Sequence, residues 1–117
     1  MNNFKELIIK ASSNIENSHS RELILEAVND MSKQDIENAN KLISNFDFNL
    51  VYYTYDIIFK AKFNTNCTIC LRMGVFEKSN TIFYDLDVTL NNAKCIFTRR
   101  ALTFGGVYAP FLEFIEG

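Results

Sequence analysis

No stretch of this 117-residue chain approaches the roughly 18 consecutive apolar residues of a membrane-spanning helix. The opening Met-Asn-Asn-Phe-Lys-Glu lacks the basic region and small-residue cleavage site of a secretory signal, so a cytoplasmic protein is expected, with no membrane partner. Charge of one sign is not in excess either. Twelve Lys and Arg stand against fourteen Asp and Glu, a net charge of −2, which disfavours sequence-independent binding to nucleic-acid phosphates. Cysteine is scarce and odd in number, at three, which fits a reducing compartment better than a disulfide framework. There is one histidine, His19, and no phosphate-loop pattern, internal repeat, low-complexity segment or interdomain linker.

What remains is the composition of a folded domain. At 13.5 kDa, 48% hydrophobic and 22% charged, residues 1–117 have the size and balance of a single core. Asn, Ile and Lys occur 14, 12 and 8 times, the bias an AT-rich genome imposes, as in a low-GC bacterium or its phage.

Periodicity divides the chain in two. Phe4, Leu7, Ile8, Ala11 and Ile15 recur at helical spacing and predict a helix over about residues 3–16. Ser20 is the expected N-cap of a second, with Ile24, Ala27, Val28 and Met31 on its apolar stripe. Ser32 and Asp35 resemble a capping box before Ile36, Ala39, Ile43 and Phe46, predicting a third helix over 33–45. From residue 48 the period becomes 2. Odd positions from Val51 to Phe63 read as one long strand, bent or bulged near Thr54–Asp56, and Cys67 to Val75 continue the odd set after the Asn64-Thr65-Asn66 turn. After residues 77–80 the apolar set becomes even: Ile82, Tyr84, Leu86, Val88 and Leu90.

That parity switch fixes a register, because side chains alternate between faces. A four-residue loop at 77–80 sets Phe76 opposite Thr81, Met73 opposite Tyr84 and Leu71 opposite Leu86 on the core side, with Arg72 opposite Asp85 and Cys70 opposite Asp87 on the other. The Asn64–Asn66 turn likewise sets Phe59 opposite Leu71. The last strand, near 93–103 and ended by Gly105-Gly106, has two registers. A two-residue Asn91-Asn92 turn sends Ala93, Cys95, Phe97, Arg99 and Ala101 inward, and a three-residue turn sends Ile96, Thr98, Arg100, Leu102 and Phe104 inward. Residues 108–115 read as a short helix with Pro110 in its first turn, or as a fifth strand. The expected fold is α+β: three N-terminal helices packed on one face of a four- to five-stranded antiparallel meander, with a short C-terminal helix.

Candidate chemistry is sparse. Cys67-Thr-Ile-Cys70 has metal or redox spacing, but residues three apart in a strand face opposite ways, so no metal and no cofactor are expected. His19 lies between serines in an expected interhelical loop, and Asp85 with Asp87 are two carboxylates on one face with Arg72 across from them. No catalytic constellation emerges, so a non-enzymatic protein is the expectation. The face opposite the helices gathers Tyr52, Arg72, Phe76, Phe83, Asp85, Asp87 and Arg100 as partner-binding candidates, with Ile58, Cys70, Ile96, Asp56 and Lys60 around them. Aromatic anchors among charges mark recognition surfaces, and the partner expected is another protein, or a second copy through the sheet face or edge. The functional expectation is a protein-binding module, a small inhibitor such as a phage anti-defence or toxin-immunity protein. The alternative is a cone-like ligand-binding or hydrolytic domain whose pocket is lined by Tyr53, Tyr55, Tyr84 and Arg99. A nucleic-acid module using Arg99, Arg100, Lys60 and Lys62 is a third class, opposed by the net charge.

Overall fold

Each N-terminal helix starts at a side chain that accepts from an otherwise unpartnered backbone N–H. In the computed structural model, which describes residues 3–52, 56–91 and 93–117, with the backbone alone for 50–52, Asn3, Asn17 and Ser32 cap helices α1 (Phe4–Ser12), α2 (Ser18–Asn29) and α3 (Lys33–Asn45). The third matches its expected bounds. The first is shorter than expected: the hydroxyls of Ser12 and Ser13 turn back to donate to the carbonyls of Ile9 and Lys10, both at 2.7 Å, and Ser13 becomes the C-cap. Ile15 still reaches the core, 1% exposed, from the turn that follows. The second begins earlier than expected because Asn17, not Ser20, is its cap; Ser20 instead donates its backbone N–H to Asn17 Oδ1. His19 therefore lies in the first turn of α2 rather than in a loop.

The sheet has five antiparallel strands in the order β1-β2-β3-β4-β5: Asn49–Tyr52, Ile57–Lys62, Cys67–Phe76, Thr81–Leu90 and Lys94–Ala101. The long strand expected from Val51 to Phe63 is two, because Tyr52 pairs back on Ile57 and Val51 on Ile58. The register from β2 to β4 agrees with the sequence. Phe59 faces Leu71, Arg72 faces Asp85 and Phe76 faces Thr81.

The last hairpin combines the two expected registers. Leu90 faces Lys94, a three-residue turn with Asn91 at φ 53°, and Thr89 faces Cys95. The next pair is Val88 with Phe97, so Ile96 is an extra residue on β5. This bulge restores parity: Phe97, Arg99 and Ala101 join the inward row opposite Val88, Leu86 and Tyr84. Ala93 and Cys95, expected inward, are exposed.

Gly105-Gly106 does not follow a strand but opens helix α4 (Phe104–Glu116), capped by Thr103, whose hydroxyl accepts from the Gly106 N–H at 3.2 Å. A Cβ on Gly106 would lie 2.5 Å from that of Ala101, and one on Gly105 would lie 2.9 Å from Asp35 Oδ1. These glycines serve close approach between elements. Pro110 consequently sits inside a 13-residue helix, not in the first turn of a short one. Helix α4 packs on β5, β4 and α3 from the same side as the other helices. Phe104 stacks on Tyr108 and meets Phe4 tilted and Tyr84 edge-on, and Phe111 meets Phe46 and Phe97 edge-on. Phe4, Phe59, Phe104, Phe111, Leu71 and Leu86 are at most 2% exposed and fill the space between sheet and helices. With all four helices on the inner face, no described element covers the outer one.

Candidate protein-binding surface

The outer face is assembled by the register itself. Arg72 on β3, Asp85 on β4 and Arg100 on β5 are successive cross-strand partners, and Asp56 stands just ahead of β2. Directly opposed side chains lie close enough to pair. The Arg100 fork is bidentate on Asp85, with Nε at 2.6 Å from Oδ1 and Nη2 at 2.7 Å from Oδ2. Arg72 donates from Nε to Asp56 Oδ2 at 2.7 Å, while its Nη1 lies 3.8 Å from Asp85 Oδ2. The expected pairing of Arg72 with Asp85 is thus present, but the tighter partner of each is another residue. Asp56 and Asp85 are only 9% and 8% exposed. A carboxylate removed from water needs such partners, which ties the four side chains into one ladder. Hydrogen bonding to Asp85, reinforced by its charge, pushes the Arg100 pKa up.

An aromatic pair completes the array. Gly74 is opposite Phe83, and the missing side chain lets the Phe83 ring lie across the neighbouring strand. The Arg100 guanidinium sits 4.2 Å and that of Arg72 5.3 Å from the Phe83 ring centre, and the Phe76 ring lies 4.4 Å away. Phe83 is therefore 4% exposed, which corrects its expected role as a direct apolar contact: it is the floor on which Arg72, Arg100 and Phe76 rest. The C-terminal helix has no part in covering it. Phe76 at 36%, Ile96 at 37% and Leu102 at 63% are the large apolar side chains left exposed on β3, β5 and just beyond.

One row further along, Asp87 accepts from the Thr98 hydroxyl and faces Cys70, with Lys60 next across. Burial, and then the charge of Asp87, push the Cys70 thiol pKa up. Tyr52, also a candidate for this face, is described by its backbone alone, which pairs with Ile57, and its side chain lies outside what the structure describes. Sequence reasoning placed Asp56 on this face without recognising it as the Arg72 partner, and missed Gly74 and Leu102. Gly74 was readable as the position opposite Phe83; Leu102 was not, because the bulge sets its register.

Of the residues suggested for an internal pocket, Tyr53 and Tyr55 lie outside the described residues. Tyr84 is 3% exposed against Phe104, and burial, then the nearby Asp35 charge, push its phenol pKa up to about 12. Arg99 is in the inward row yet exposed, reaching back to the Thr98 carbonyl at 3.2 Å, so these two do not share a site. Cys67, Cys70 and Cys95 are free thiols, buried, half-buried and exposed in turn, and among the described residues no group of three metal-ligating side chains converges. His19 Nε2 lies 2.9 Å from Asn80 Oδ1, tying α2 to the β3–β4 turn, where Asn80 has φ 54°. No described helix is long and apolar enough to cross a membrane.

Comparison with known protein families, curated proteins and solved structures finds no match for this chain. Any functional reading must rest on its own residues.

Proposed function

We propose that this is a non-enzymatic protein-binding module of the cytoplasm, a small inhibitor of the kind that phage anti-defence and toxin-immunity proteins represent, which engages its target through the outer sheet face. The observation that carries the reading is the preassembled array of Asp56, Arg72, Asp85 and Arg100 around Phe83, with Phe76 and Leu102 exposed beside it. Guanidinium groups held over an aromatic floor and bonded to buried carboxylates present donors and apolar surface together, with less side-chain freedom left to lose on binding. Three free thiols accord with a reducing compartment.

The test is partner capture from the native cytosol with Phe76→Ala, Arg72→Ala and Leu102→Asp, set against Ile9→Asp on the helical side, where Ile9 is 43% exposed. Central anchors typically lose about 2 kcal/mol or more on truncation, a fall of about thirtyfold in affinity. The reading requires that the three sheet-face variants lose capture while Ile9→Asp keeps it. Full capture by all three contradicts it.

A further inference from the structure

The end strand of this surface carries charge of one sign. From Val88 to Leu112 there is no Asp or Glu, although the whole chain is net negative, and the cations of that stretch, Lys94, Arg99 and Arg100, all lie on β5 and are all exposed. Strand β5 ends the sheet, with β4 on one side only. The backbone groups on its other side are therefore a template for a further strand. Exposed Ile96 precedes Arg99 and Arg100, and exposed Leu102 follows them, so apolar and cationic side chains flank one edge.

A second copy of β5 is a poor occupant. In an antiparallel pairing centred on Phe97, Lys94 would face Arg100 of the second copy, and no carboxylate lies nearby in sequence to relieve the repulsion. The Ile96 bulge works against self-pairing in the same direction. Nucleic acid fits less well than a peptide, because Arg100 already has two of its donors on Asp85 and the apolar pair has no counterpart in a phosphate backbone. Charge complementarity leaves one class of occupant. We propose that the free edge of β5 takes up an extended, acidic segment of a partner protein as a sixth strand, with Lys94 and Arg99 reading its carboxylates and Ile96 and Leu102 its apolar side chains.

This rests on the protein-binding reading and names the chemistry of the partner, and the test separates the two. The probes are a short capped peptide alternating valine and glutamate, the same peptide with lysine for glutamate, and single-stranded oligothymidylate, each added to the full chain at low salt. Amide hydrogen exchange reads the strand and titration reads affinity. The glutamate peptide is expected to slow exchange at alternate β5 amides and to bind about tenfold more tightly than the lysine peptide, a preference that K94E/R99E reverses. Lys94 and Arg99 make no ion pair among the described residues, and the contacts of Arg99, the Thr98 carbonyl at 3.2 Å and the Phe97 ring at 5.7 Å, lie at the exposed surface, so the double variant should stay folded with its melting temperature lowered by only a few degrees. Equal binding of the two peptides, absence of β5 protection, or oligothymidylate binding as tightly as the glutamate peptide overturns the proposal. Peptide-induced changes confined to Phe76 and Arg72, without β5 protection, also overturn it while leaving the sheet-face reading in place.

Discussion

Gly74 is the position where the outer face is most sharply tested. A Cβ placed there would stand 2.8 Å from Cε1 of Phe83 and nearer still to Cζ, so Gly74→Ala forces the ring to lift. A ring that swung freely would make this cheap. Here Arg100, Arg72 and Phe76 hold it at 4.2, 5.3 and 4.4 Å, and lifting it loses those contacts. Re-exposing about half of a buried phenylalanine costs ~1 to 1.5 kcal/mol, and the weakened cation–π contacts add ~0.5 to 1 kcal/mol. Replacing glycine within a strand returns ~0.5 to 1 kcal/mol through lower unfolded-state entropy. The net expectation is a loss of about 0.5 to 2 kcal/mol, or roughly 2 to 10 °C in melting temperature for a domain of this size. The sign of the effect depends on the ring, so the assay is a double-mutant cycle by urea unfolding. In a Phe83→Ala background Gly74→Ala should become neutral or stabilising. Stabilisation by Gly74→Ala alone, or a coupling energy below about 0.3 kcal/mol, would refute the packing argument.

Further outcomes follow from the same geometry. Asp85→Ala takes away the acceptor for Arg100 and the second carboxylate near Arg72, and urea unfolding should show a loss of ~1 to 2 kcal/mol, held down by the half-exposed guanidinium groups. Tyr84, with a phenol pKa raised from 10.0 to about 12, favours the folded state fully below pH 10 and loses that contribution as pH rises toward 12; the fall in urea midpoint across this window should be smaller in Tyr84→Phe. Thiol labelling should proceed in the order Cys95, Cys70, Cys67, the last only on unfolding, and elemental analysis should find no zinc; about one zinc per chain would contradict the strand geometry of Cys67 and Cys70.

The central hairpin was legible because its two strands are amphipathic with opposite parity. Val75 and Ile82 cannot both face the core in any register but the observed one, short of a shift by whole residue pairs. The reversal between β1 and β2 was hidden for the complementary reason. Leu50, Val51, Tyr52 and Tyr53 are apolar at both parities, so the alternation that continues from Ile57 marks no break between the two strands. In β5 the Ile96 bulge flips parity partway along the strand, which no single alternating pattern represents. Gly105-Gly106 misled because glycine pairs signal turns, whereas here contacts with Asp35 and Ala101, remote from any local propensity, require the small residue and the Thr103 cap starts a helix across it. The candidate surface followed the hairpin: Arg72, Phe76 and Asp85 were placed on one face from parity alone, whereas Arg100 joined them in only one of the two registers open to β5, and burial of Phe83 depended on how long side chains fold over a glycine.

Under the proposed function the outer sheet face, not the helical face, meets the partner. A photoreactive amino acid placed at Leu102, 63% exposed beside that face, or at Ile9, 43% exposed on α1, gives the most direct comparison. Irradiation in the native cytosol followed by mass spectrometry should yield a discrete cross-linked species from position 102 that excess unlabelled protein competes away, and none from position 9. A competed cross-link from position 9 with nothing at 102 would contradict the assignment and move the recognition surface to the helices.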